Sequence, residues 1–385
     1  MYYKESIMIV VEEYQSGHTQ QGLGYKYFVP SKVNDEWIWR TPLISSLLET
    51  AAIKLGVLNS FSHLVPNIDL FIRLHITKEA VISSRIEGTK TQMDEALLPE
   101  VEINPERRDD WQEVNNYTLA MNEAIGYLKE LPISTRLIKN THRVLLNSVR
   151  GEHKLPGTFR TSQNWIGGNS LADARYIPPH ADLINELMGD LEKFLNNTTL
   201  EVPALIKVAI AHYQFETIHP FLDGNGRIGR LLITLFLVEQ KILDKPLLYM
   251  SSYFEKNKEL YYDNLNNVRV KNDMLQWIKY FLVGISQTAT LAIDTLNLLL
   301  ELKASIEEEI RTTYGRRASS ALRLLQYLFQ NPSVTVETTA SACDLSIKAA
   351  GELLKKMQSS QFLIEKTKQN RNRIFVFDRY LQLFQ

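Results

Sequence analysis

The pattern of apolar residues predicts a chain built mostly from helices. After about residue 40, apolar side chains recur every three or four positions, which places them on one face of a helix. Helices predicted in this way cover residues 107–131, 133–149, 202–216 and 273–310. Near the N-terminus, Ile7–Val11 and Tyr25–Val29 have the short apolar runs of strands, in what we predict to be a loosely structured arm.

One stretch in the middle of the chain departs from the helical pattern. Two short extended pieces, Gln163–Gly168 and Arg175–Pro179, flank a turn that contains Asn169, Ser170 and Asp173. This arrangement predicts a β-hairpin. An exposed loop that closes onto the next helix is the alternative interpretation.

The last seventy residues form a separate pattern. Three helical segments are followed by two apolar, strand-like runs: Ala318–Gln330, Val336–Ala342, Ser346–Ser359, Phe362–Glu365 and Ile374–Phe377. This order resembles a winged helix, with Ser346–Ser359 as the recognition helix and the basic turn Lys366–Arg373 as the wing. Gly315–Arg317 would separate this module from the rest of the chain.

Charge is distributed unevenly between this module and the rest. Residues 316–385 carry 11 Lys and Arg against 5 Asp and Glu, which leaves 32 against 39 elsewhere in the chain. A basic module on an acidic body fits contact with nucleic acid. A winged helix that docks a protein and leaves its basic face in solvent is the alternative, because the same fold serves both uses.

Length and composition set the broad class. With 385 residues, the chain is long enough for two or three domains. We divide it into residues 1–106, 107–314 and 315–385. The single cysteine, Cys343, excludes an intramolecular disulfide and a multi-cysteine metal site. It also fits a reducing cytoplasm. We expect no signal peptide and no membrane partner, because contiguous apolar runs such as Leu231–Val238 are short.

The stretch from His219 to Arg230 concentrates the chemistry. Pro220 disfavours helical backbone at the residue before it, so the preceding helix should end near His219. A tight loop then leads into a second helix, whose free N-terminal amides favour an anion. His219 lies at the edge of this loop, where it could act as a base.

The residues inside the loop are suited to a polyphosphate. Gly224 and Gly226 allow backbone amides to approach a phosphate closely. Arg227 and Arg230 are three residues apart on one helix face and can grip phosphate oxygens as forks. Asp223 can hold Mg²⁺, a cation that takes one or two carboxylates together with substrate phosphates.

Two other interpretations of this stretch were considered. Residues 224–229 match the G-x-G-x-x-G pattern of dinucleotide-binding sites, but a helix precedes them where that site needs a strand. A plain helix–loop–helix turn with a capping glycine accounts for one glycine. It does not account for the convergence of a histidine, an aspartate, an asparagine and two arginines.

His219–Arg230 resembles the Fic-family signature, His-Pro-Phe-x-(Asp/Glu)-Gly-Asn-(Gly/Lys)-Arg-x-x-Arg, at every defined position. The resemblance implies transfer of AMP from ATP to a hydroxyl group of a target protein. It implies that His219 is the general base and that Asp223 carries Mg²⁺. The residues that it places at the nucleotide are Asp223, Gly224, Asn225, Gly226, Arg227, Ile228, Gly229 and Arg230.

The resemblance assigns roles outside the signature as well. The family has a hairpin flap over the site, and the exposed edge of such a hairpin can align an extended target segment through main-chain hydrogen bonds. Arg175 and Tyr176 occupy flap positions next to the nucleotide. Tyr261 falls where the family has a tyrosine in the adenine pocket, although packing between helices would explain it equally well.

A second motif lies earlier in the chain, at Ser83, Glu87 and Gly88. By itself it fits a capped surface helix with a solvated glutamate. In the context of the family it matches the inhibitory motif (Ser/Thr)-x-x-x-Glu-(Gly/Asn). The resemblance then implies that Glu87 pairs with Arg230, occupies the phosphate clamp and repels the incoming anion.

Taken together, the sequence predicts a mostly α-helical Fic enzyme with a small hairpin flap and a C-terminal winged-helix domain. The expected activity is AMP transfer from Mg²⁺-ATP to a Ser, Thr or Tyr hydroxyl, in a target protein or in the chain itself, autoinhibited by Glu87. Three alternatives stay open: transfer of another group, removal of AMP, and a DNA-binding regulator with a vestigial enzyme. Gly226, where other members have lysine, favours nucleotidyl transfer. The sequence is compatible with a homodimer but does not decide it.

Overall fold

A computed structural model describes residues 8–64, 68–98, 100, 103–147, 152–367 and 373–384. The prediction of a mostly helical chain with small sheets is confirmed. The contacts divide the chain into two compact units, Met1–Asn59 with Ile76–Thr290, and Ser60–His75 with Leu291–Gln385. The three-part division predicted from the motifs stays a prediction.

Fifteen helices lie in the described residues. They are α1 Pro42–Leu64, α2 Ile68–Ile86, α3 Met93–Ala96, α4 Arg108–Tyr127, α5 Thr135–Leu145, α6 Ile184–Asn196, α7 Ala204–Ile218, α8 Asn225–Glu239, α9 Ser251–Lys256, α10 Lys258–Lys271, α11 Met274–Thr313, α12 Ala318–Leu328, α13 Val336–Cys343, α14 Ile347–Ser359 and α15 Asp378–Gln382. The sequence also predicts a helix from Pro42 that Gly56 could end, and this end is wrong because α1 continues to Leu64. The buried stripe continues across it through Leu55 and Leu58, so packing maintains the helix.

The N-terminal arm is more ordered than the sequence suggested. Strands β1 (Met8–Val10) and β4 (Glu36–Ile38) pair in parallel, whereas β2 (Gly17–Gln21) and β3 (Lys26–Pro30) form an antiparallel hairpin. Trp37 is buried and donates a hydrogen bond to the Val33 carbonyl at 3.0 Å. Aromatic anchoring of this kind gives short strands a fixed place that their lengths alone would not provide.

Helices α7 and α8 form the centre of the first unit and pack against each other. Every residue of α7 from Leu205 to Ile218 is buried, so the helix has no solvent-facing side. His212 lies on the apolar stripe of the predicted helix 202–216, which predicts a core histidine, and it is buried. It contacts the Gly229 carbonyl through Nδ1 and the Tyr261 hydroxyl through Nε2, both at 2.9 Å. These contacts fix the two helices on either side of the His219–Arg230 stretch.

Among the described residues, one helix is long and apolar enough to cross a membrane by length and composition alone. This helix is α11, and 44% of its most apolar window is buried. The contiguous apolar runs in the sequence did not indicate this property of α11, because polar residues interrupt the apolar residues along it. Trp277 and Phe281 are fully buried in the first unit, and the core helix of a soluble protein meets the same criterion.

The second unit contains a small three-stranded sheet. Its strands β5 (Ser333–Val334), β6 (Ile364–Glu365) and β7 (Phe375–Val376) pair antiparallel in the order β5-β7-β6. The sequence predicted the last two strands and missed β5, which is only two residues long. The predicted wing falls partly on residues 368–372, which lie outside the described residues.

The predicted hairpin of the first unit consists of a single antiparallel bridge. The amides and carbonyls of Ile166 and Tyr176 exchange two hydrogen bonds, at 2.9 and 3.1 Å. At the tip, Asp173 accepts hydrogen bonds from the amides of Asn169 and Ser170. On the outer side, the Phe28 amide of β3 donates to the Ile177 carbonyl at 3.0 Å, so one hydrogen bond joins the arm to the hairpin.

The conformation of Gly168 gives a test of this flap. Its φ is +74°, and a Cβ there would lie 2.4 Å from the Asp173 carbonyl oxygen. We expect Gly168→Ala to weaken the bridge by about 1–2 kcal/mol, because a side chain in left-handed backbone is strained. Hydrogen exchange at the Ile166 and Tyr176 amides should then be roughly tenfold faster.

Gly24→Ala is the matched control for this prediction. Gly24 has a similar φ of +79°, but a Cβ there would contact nothing within 4 Å. It lies in the arm, so exchange at the flap amides should stay at its original rate. Equal exchange rates in wild type and Gly168→Ala would contradict the described hairpin.

Candidate active site

The turn that carries His219 is held in an unusual backbone conformation. His219 ends α7 with φ 48° and ψ 61°, the left-handed region that few residues other than glycine adopt. Arg160 stabilises it: Nε donates to the His219 carbonyl at 3.0 Å, and the Arg160 amide donates to the Pro220 carbonyl at 2.9 Å. The same guanidinium donates to Ser162 and Pro179, so it joins the His219 turn to both ends of the flap segment.

The His219 ring is suited to accept a proton. Burial lowers its pKa to about 4, and the positive charges of Arg269 and Arg160 act in the same direction. Glu87 and the carbonyl of Glu216 oppose this shift less strongly. The imidazole is therefore neutral at pH 7, and a neutral imidazole is the form that acts as a general base.

A buried network shapes the loop after His219. The Asn225 side chain accepts from the Phe221 amide and donates to the Phe221 carbonyl, both at 2.8 Å. Phe221 stacks on His142 with ring centroids 3.7 Å apart, and His142 contacts the Asp223 carbonyl at 3.0 Å. The Asn225 side chain is therefore occupied within the loop. Its backbone amide is the group that is left to bind an anion.

The first turn of α8 has the backbone geometry of an anion cradle, and its role at a nucleotide stays a prediction. Gly224 precedes it in left-handed backbone, with φ 74°, and the amides from Asn225 to Arg227 have no carbonyl one turn back within the helix. A Cβ at Gly226 would lie 2.4 Å from the Glu87 carboxylate and 2.9 Å from Arg230 Nη1. The Glu87 carboxylate and the Arg230 guanidinium therefore both lie against this glycine.

Arg230 is bound to Ser83 of α2 and to Glu87 in the turn that follows α2. Its Nη2 donates to the Glu87 carboxylate at 2.7 Å and to the Ser83 carbonyl at 2.9 Å, and its Nε donates to the Ser83 hydroxyl at 2.9 Å. The Arg230 side chain is 1% exposed and that of Glu87 36%. Burial opposes ionisation of Glu87, but the charge and hydrogen bond of Arg230 outweigh it and hold the Glu87 pKa below its ordinary value.

The other residues of the signature divide into two groups. Arg227 is buried and pairs with Glu113 of α4 at 3.0 Å, and more weakly with Asp223 at 3.6 Å. Ile228 and Gly229 face the core: Ile228 is 1% exposed, and a Cβ at Gly229 would lie 2.1 Å from the Glu216 carboxylate. These two residues shape the helix, and the polar atoms of the cradle come from their neighbours.

Asp223 is the carboxylate best placed for Mg²⁺. It lies at the mouth of the cradle with its side chain 48% exposed, and it accepts a hydrogen bond from the Gly224 amide at 2.6 Å. In the described part of the chain, no cluster of three or more His, Cys, Asp or Glu side chains could hold a metal by itself. The donor set thus fits a cation that shares its ligands with substrate phosphates.

The residues predicted outside the two motifs lie in different surroundings. Arg175 is 62% exposed and pairs with Asp263 at 3.0 Å. Tyr176 is buried, and its hydroxyl donates to the Thr217 carbonyl at 2.7 Å. Tyr261 is 1% exposed, with its hydroxyl on His212. This position is the one that helix packing requires, and a role for Tyr261 at the adenine stays a prediction.

Sequence reasoning overlooked four charged residues around the site. They are Glu113, Arg160, Glu216 and Arg269. Burial raises the pKa of Glu216 to about 7 against the opposing charge of Arg230, and Glu216 Oε1 lacks a hydrogen-bond partner among the described residues. The position of Glu216 on the apolar face of α7 was a usable signal, since charged residues are rarely buried without a reason.

The sequence matches known proteins over the region that contains both motifs. Residues 45–126 match the N-terminal domain of the Fic/DOC family, and residues 132–237 match the Fic/DOC family domain. These two stretches are therefore an N-terminal Fic/DOC domain and a Fic/DOC domain. The first contains Ser83 and Glu87 and the second contains the His219–Arg230 stretch, so the two matches cover both motifs singled out from the sequence.

Relatives and solved structures agree with this assignment. The chain is 32% identical over 132 residues to protein adenylyltransferase fic-1 of Caenorhabditis elegans, covering 32% of this chain and 24% of that protein. It is 25% identical over 254 residues to protein adenylyltransferase Fic of Drosophila erecta, covering 65% and 46%. A Fic-family protein from Desulfovibrio desulfuricans has a similar fold, with a TM-score of 0.57, 19% identity and coverage of 88% and 96%.

A C. elegans Fic-1 fragment has the same fold, with a TM-score of 0.51, 20% identity and coverage of 67% and 75%. At these identities the structural likeness establishes the Fic fold alone. The chain spans about a quarter to a half of the length of the two adenylyltransferases it matches. Their activity is therefore a property of those proteins, and this chain's activity needs its own argument.

The contact between Glu87 and Arg230 predicts a measurable effect on stability. Removing one partner of a buried ion pair costs roughly 3–5 kcal/mol, because it leaves a buried charge unpaired. Solvent reaches the Glu87 side chain, so we expect Glu87→Gln to lower the free energy of unfolding by about 1–3 kcal/mol. Urea denaturation measures this change.

Glu186→Gln is the matched control for this measurement. Glu186 pairs with Lys32 at 2.7 Å, but both side chains are more than half exposed. Solvent screens a surface pair of this kind, so its loss should change the free energy of unfolding much less than the loss of the Glu87–Arg230 pair. Equal, small losses for both variants would contradict a structural role for the Glu87–Arg230 pair.

Proposed function

We propose that this chain is a protein adenylyltransferase that transfers AMP from ATP to a Ser, Thr or Tyr hydroxyl of a target protein. The observation that carries the proposal is the placement of a neutral histidine beside an anion cradle. His219 lies at the end of α7, and the free amides and Arg230 lie at the start of α8, six to eleven residues further on. The match of residues 132–237 to the Fic/DOC family domain supports the same chemistry.

The reaction needs one bond to form and one to break. The target hydroxyl oxygen attacks the α-phosphorus of ATP, the bond to the oxygen that bridges the α- and β-phosphates breaks, and pyrophosphate leaves. His219 takes the hydroxyl proton, which is worth about 10²–10⁴-fold in rate for a general base. When bound, Mg²⁺ would be held by Asp223 and by phosphate oxygens, and it would neutralise charge on the phosphates.

We propose further that Glu87 holds the enzyme in an inhibited form. Its carboxylate lies against Gly226 and pairs with Arg230, the guanidinium that a terminal phosphate would otherwise use. A phosphate oxygen and the Glu87 carboxylate are both acceptors for the same Nη2 donor, so they compete for it. The negative charge of Glu87 also repels an anion approaching the first turn of α8.

Removal of AMP is a second candidate for the same site. The Glu87 carboxylate is an acceptor at the cradle, and there it could orient a water toward a bound AMP-protein ester. Wild-type protein added to AMP-labelled substrate should then release AMP, and Glu87→Gly should not. Equal release by both variants would remove this role from Glu87.

The C-terminal unit suggests a docking function. The element order α12-β5-α13-α14-β6-β7 supports a winged helix. Several of its basic residues are engaged within the unit: Arg317 contacts Glu352, Lys366 contacts Asp378 and Arg373 contacts Glu365. Because these contacts neutralise part of the positive charge, we propose that the unit docks a protein in preference to DNA.

The transfer reaction is tested with α-labelled ATP and Mg²⁺. We expect little label on protein with the wild type and strong label with Glu87→Gly, because Arg230 is then free for phosphate. The double variant Glu87→Gly/His219→Ala should lose at least about a hundredfold of that label, because the base is missing. Label that persists without His219 would contradict the assigned base, and absence of label in all variants would contradict transfer from ATP.

The docking proposal is tested by a DNA gel shift with the full chain at several salt concentrations. We expect no shift at physiological salt. A band whose affinity falls steeply with salt would contradict the protein-docking proposal, because release of counterions is the signature of phosphate contacts.

A further inference from the structure

Arg269 of α10 contacts the flap and the turn that carries His219. Its guanidinium carbon lies 3.8 Å from the centre of the Tyr176 ring on the flap. Its Nε donates to the Thr217 hydroxyl at 3.3 Å, and its Nη2 donates to the Glu216 carbonyl at 3.5 Å. Thr217 and Glu216 are the second and third residues before His219, so one side chain joins the flap to the end of α7.

A second contact joins the flap to the end of α7. The Tyr176 hydroxyl donates to the Thr217 carbonyl, so the flap and α7 are joined both directly and through Arg269. The backbone of Arg269 is held as well, because its carbonyl accepts from the Ser16 hydroxyl at 3.3 Å. Among the described residues, the Arg269 guanidinium forms no ion pair with a carboxylate. Its positive charge is therefore not neutralised by a direct partner, and it acts on the His219 ring.

We propose that Arg269 is a positioning residue for the transfer reaction: its guanidinium fixes the flap on the turn that carries His219. The proposal rests on the proposed function, because it concerns the transfer reaction. The first two measurements below do not require transfer activity. The guanidinium supplies the stacking face and two donors, and its charge supplies the electrostatic effect. These two contributions can be separated by substitution.

Several groups shift the pKa of His219, some downward and some upward. Arg269 from α10 and Arg160 from the segment before the flap both oppose protonation of the ring. Glu87, in the turn after α2, and the carbonyl of Glu216 from α7 favour it. Removing the Arg269 charge leaves Arg160 as the main opposing charge, so the His219 pKa should rise.

The first measurement is an NMR titration of protein labelled with ¹³C at histidine Cε1. The His219 signal is assigned by its absence in His219→Gln. We expect Arg269→Gln to raise the pH at which His219 ionises by about one unit, and Arg269→Lys to keep it near the wild-type value because the charge remains. Lys271→Gln, an exposed cation on the same helix, should leave it unchanged.

The second measurement is hydrogen exchange at the Tyr176 amide. A lysine has neither the planar face nor the fork of donors, so Arg269→Lys and Arg269→Gln should both speed this exchange about threefold or more. Arg269→Lys is thus expected to keep the wild-type titration of His219 but not the wild-type exchange rate at the Tyr176 amide. An exchange rate in Arg269→Lys equal to that of wild type would overturn the positioning role.

The third measurement uses transfer activity in the Glu87→Gly background across pH 4 to 8. The acidic limb of the profile should move to higher pH in Arg269→Gln by the same interval as the His219 titration. If neither the titration nor the exchange differs between Arg269→Gln and Lys271→Gln, the inference is wrong. If both differ but no variant transfers label, the inference stands and the proposed function fails.

Discussion

The site depends on one constraint, the burial of the Arg230 guanidinium. Its side chain is 1% exposed, and a buried cation is stable only when acceptors and an opposite charge surround it. Ser83 and Glu87 supply both in the structure. Any anion that reaches Arg230 must therefore replace Glu87. The proposed inhibition and the local stability would arise from the same ion pair, so a ligand that displaces Glu87 has to provide an equivalent negative charge in the same place.

The second requirement is a base held beside that clamp in a neutral form. His219 occupies left-handed backbone at the end of α7, and Arg160 and Arg269 stabilise the surrounding turn from two sides. Both arginines are positive, so the groups that fix the turn also lower the pKa of the base. The same two arginines therefore contribute both to the backbone geometry of the turn and to the neutral state of the His219 ring. The flap is included in this arrangement because Arg160 and Arg269 contact it as well.

Much of this site could be predicted from the sequence because its residues are close together in the chain. The run from His219 to Arg230 defines a helix end, a loop and a helix start, and these are local features. The contacts of Arg227 with Glu113 and of Tyr261 with His212 could not be predicted, because they join residues far apart in the chain. The same applies to the arm, where aromatic packing around Trp37 orders strands whose short sequences carry a weak signal. Arg269 stood in an ordinary helical pattern and became visible only through its contacts.

The most direct test of the central claim is a pair of crystal structures with Mg²⁺ and a non-hydrolysable ATP analogue, one of the wild type and one of Glu87→Gly. The account predicts that the terminal phosphate binds Arg230 in Glu87→Gly, whereas in the wild type Glu87 keeps Arg230 and the terminal phosphate lies elsewhere. A terminal phosphate on Arg230 with the Glu87 ion pair intact would contradict it.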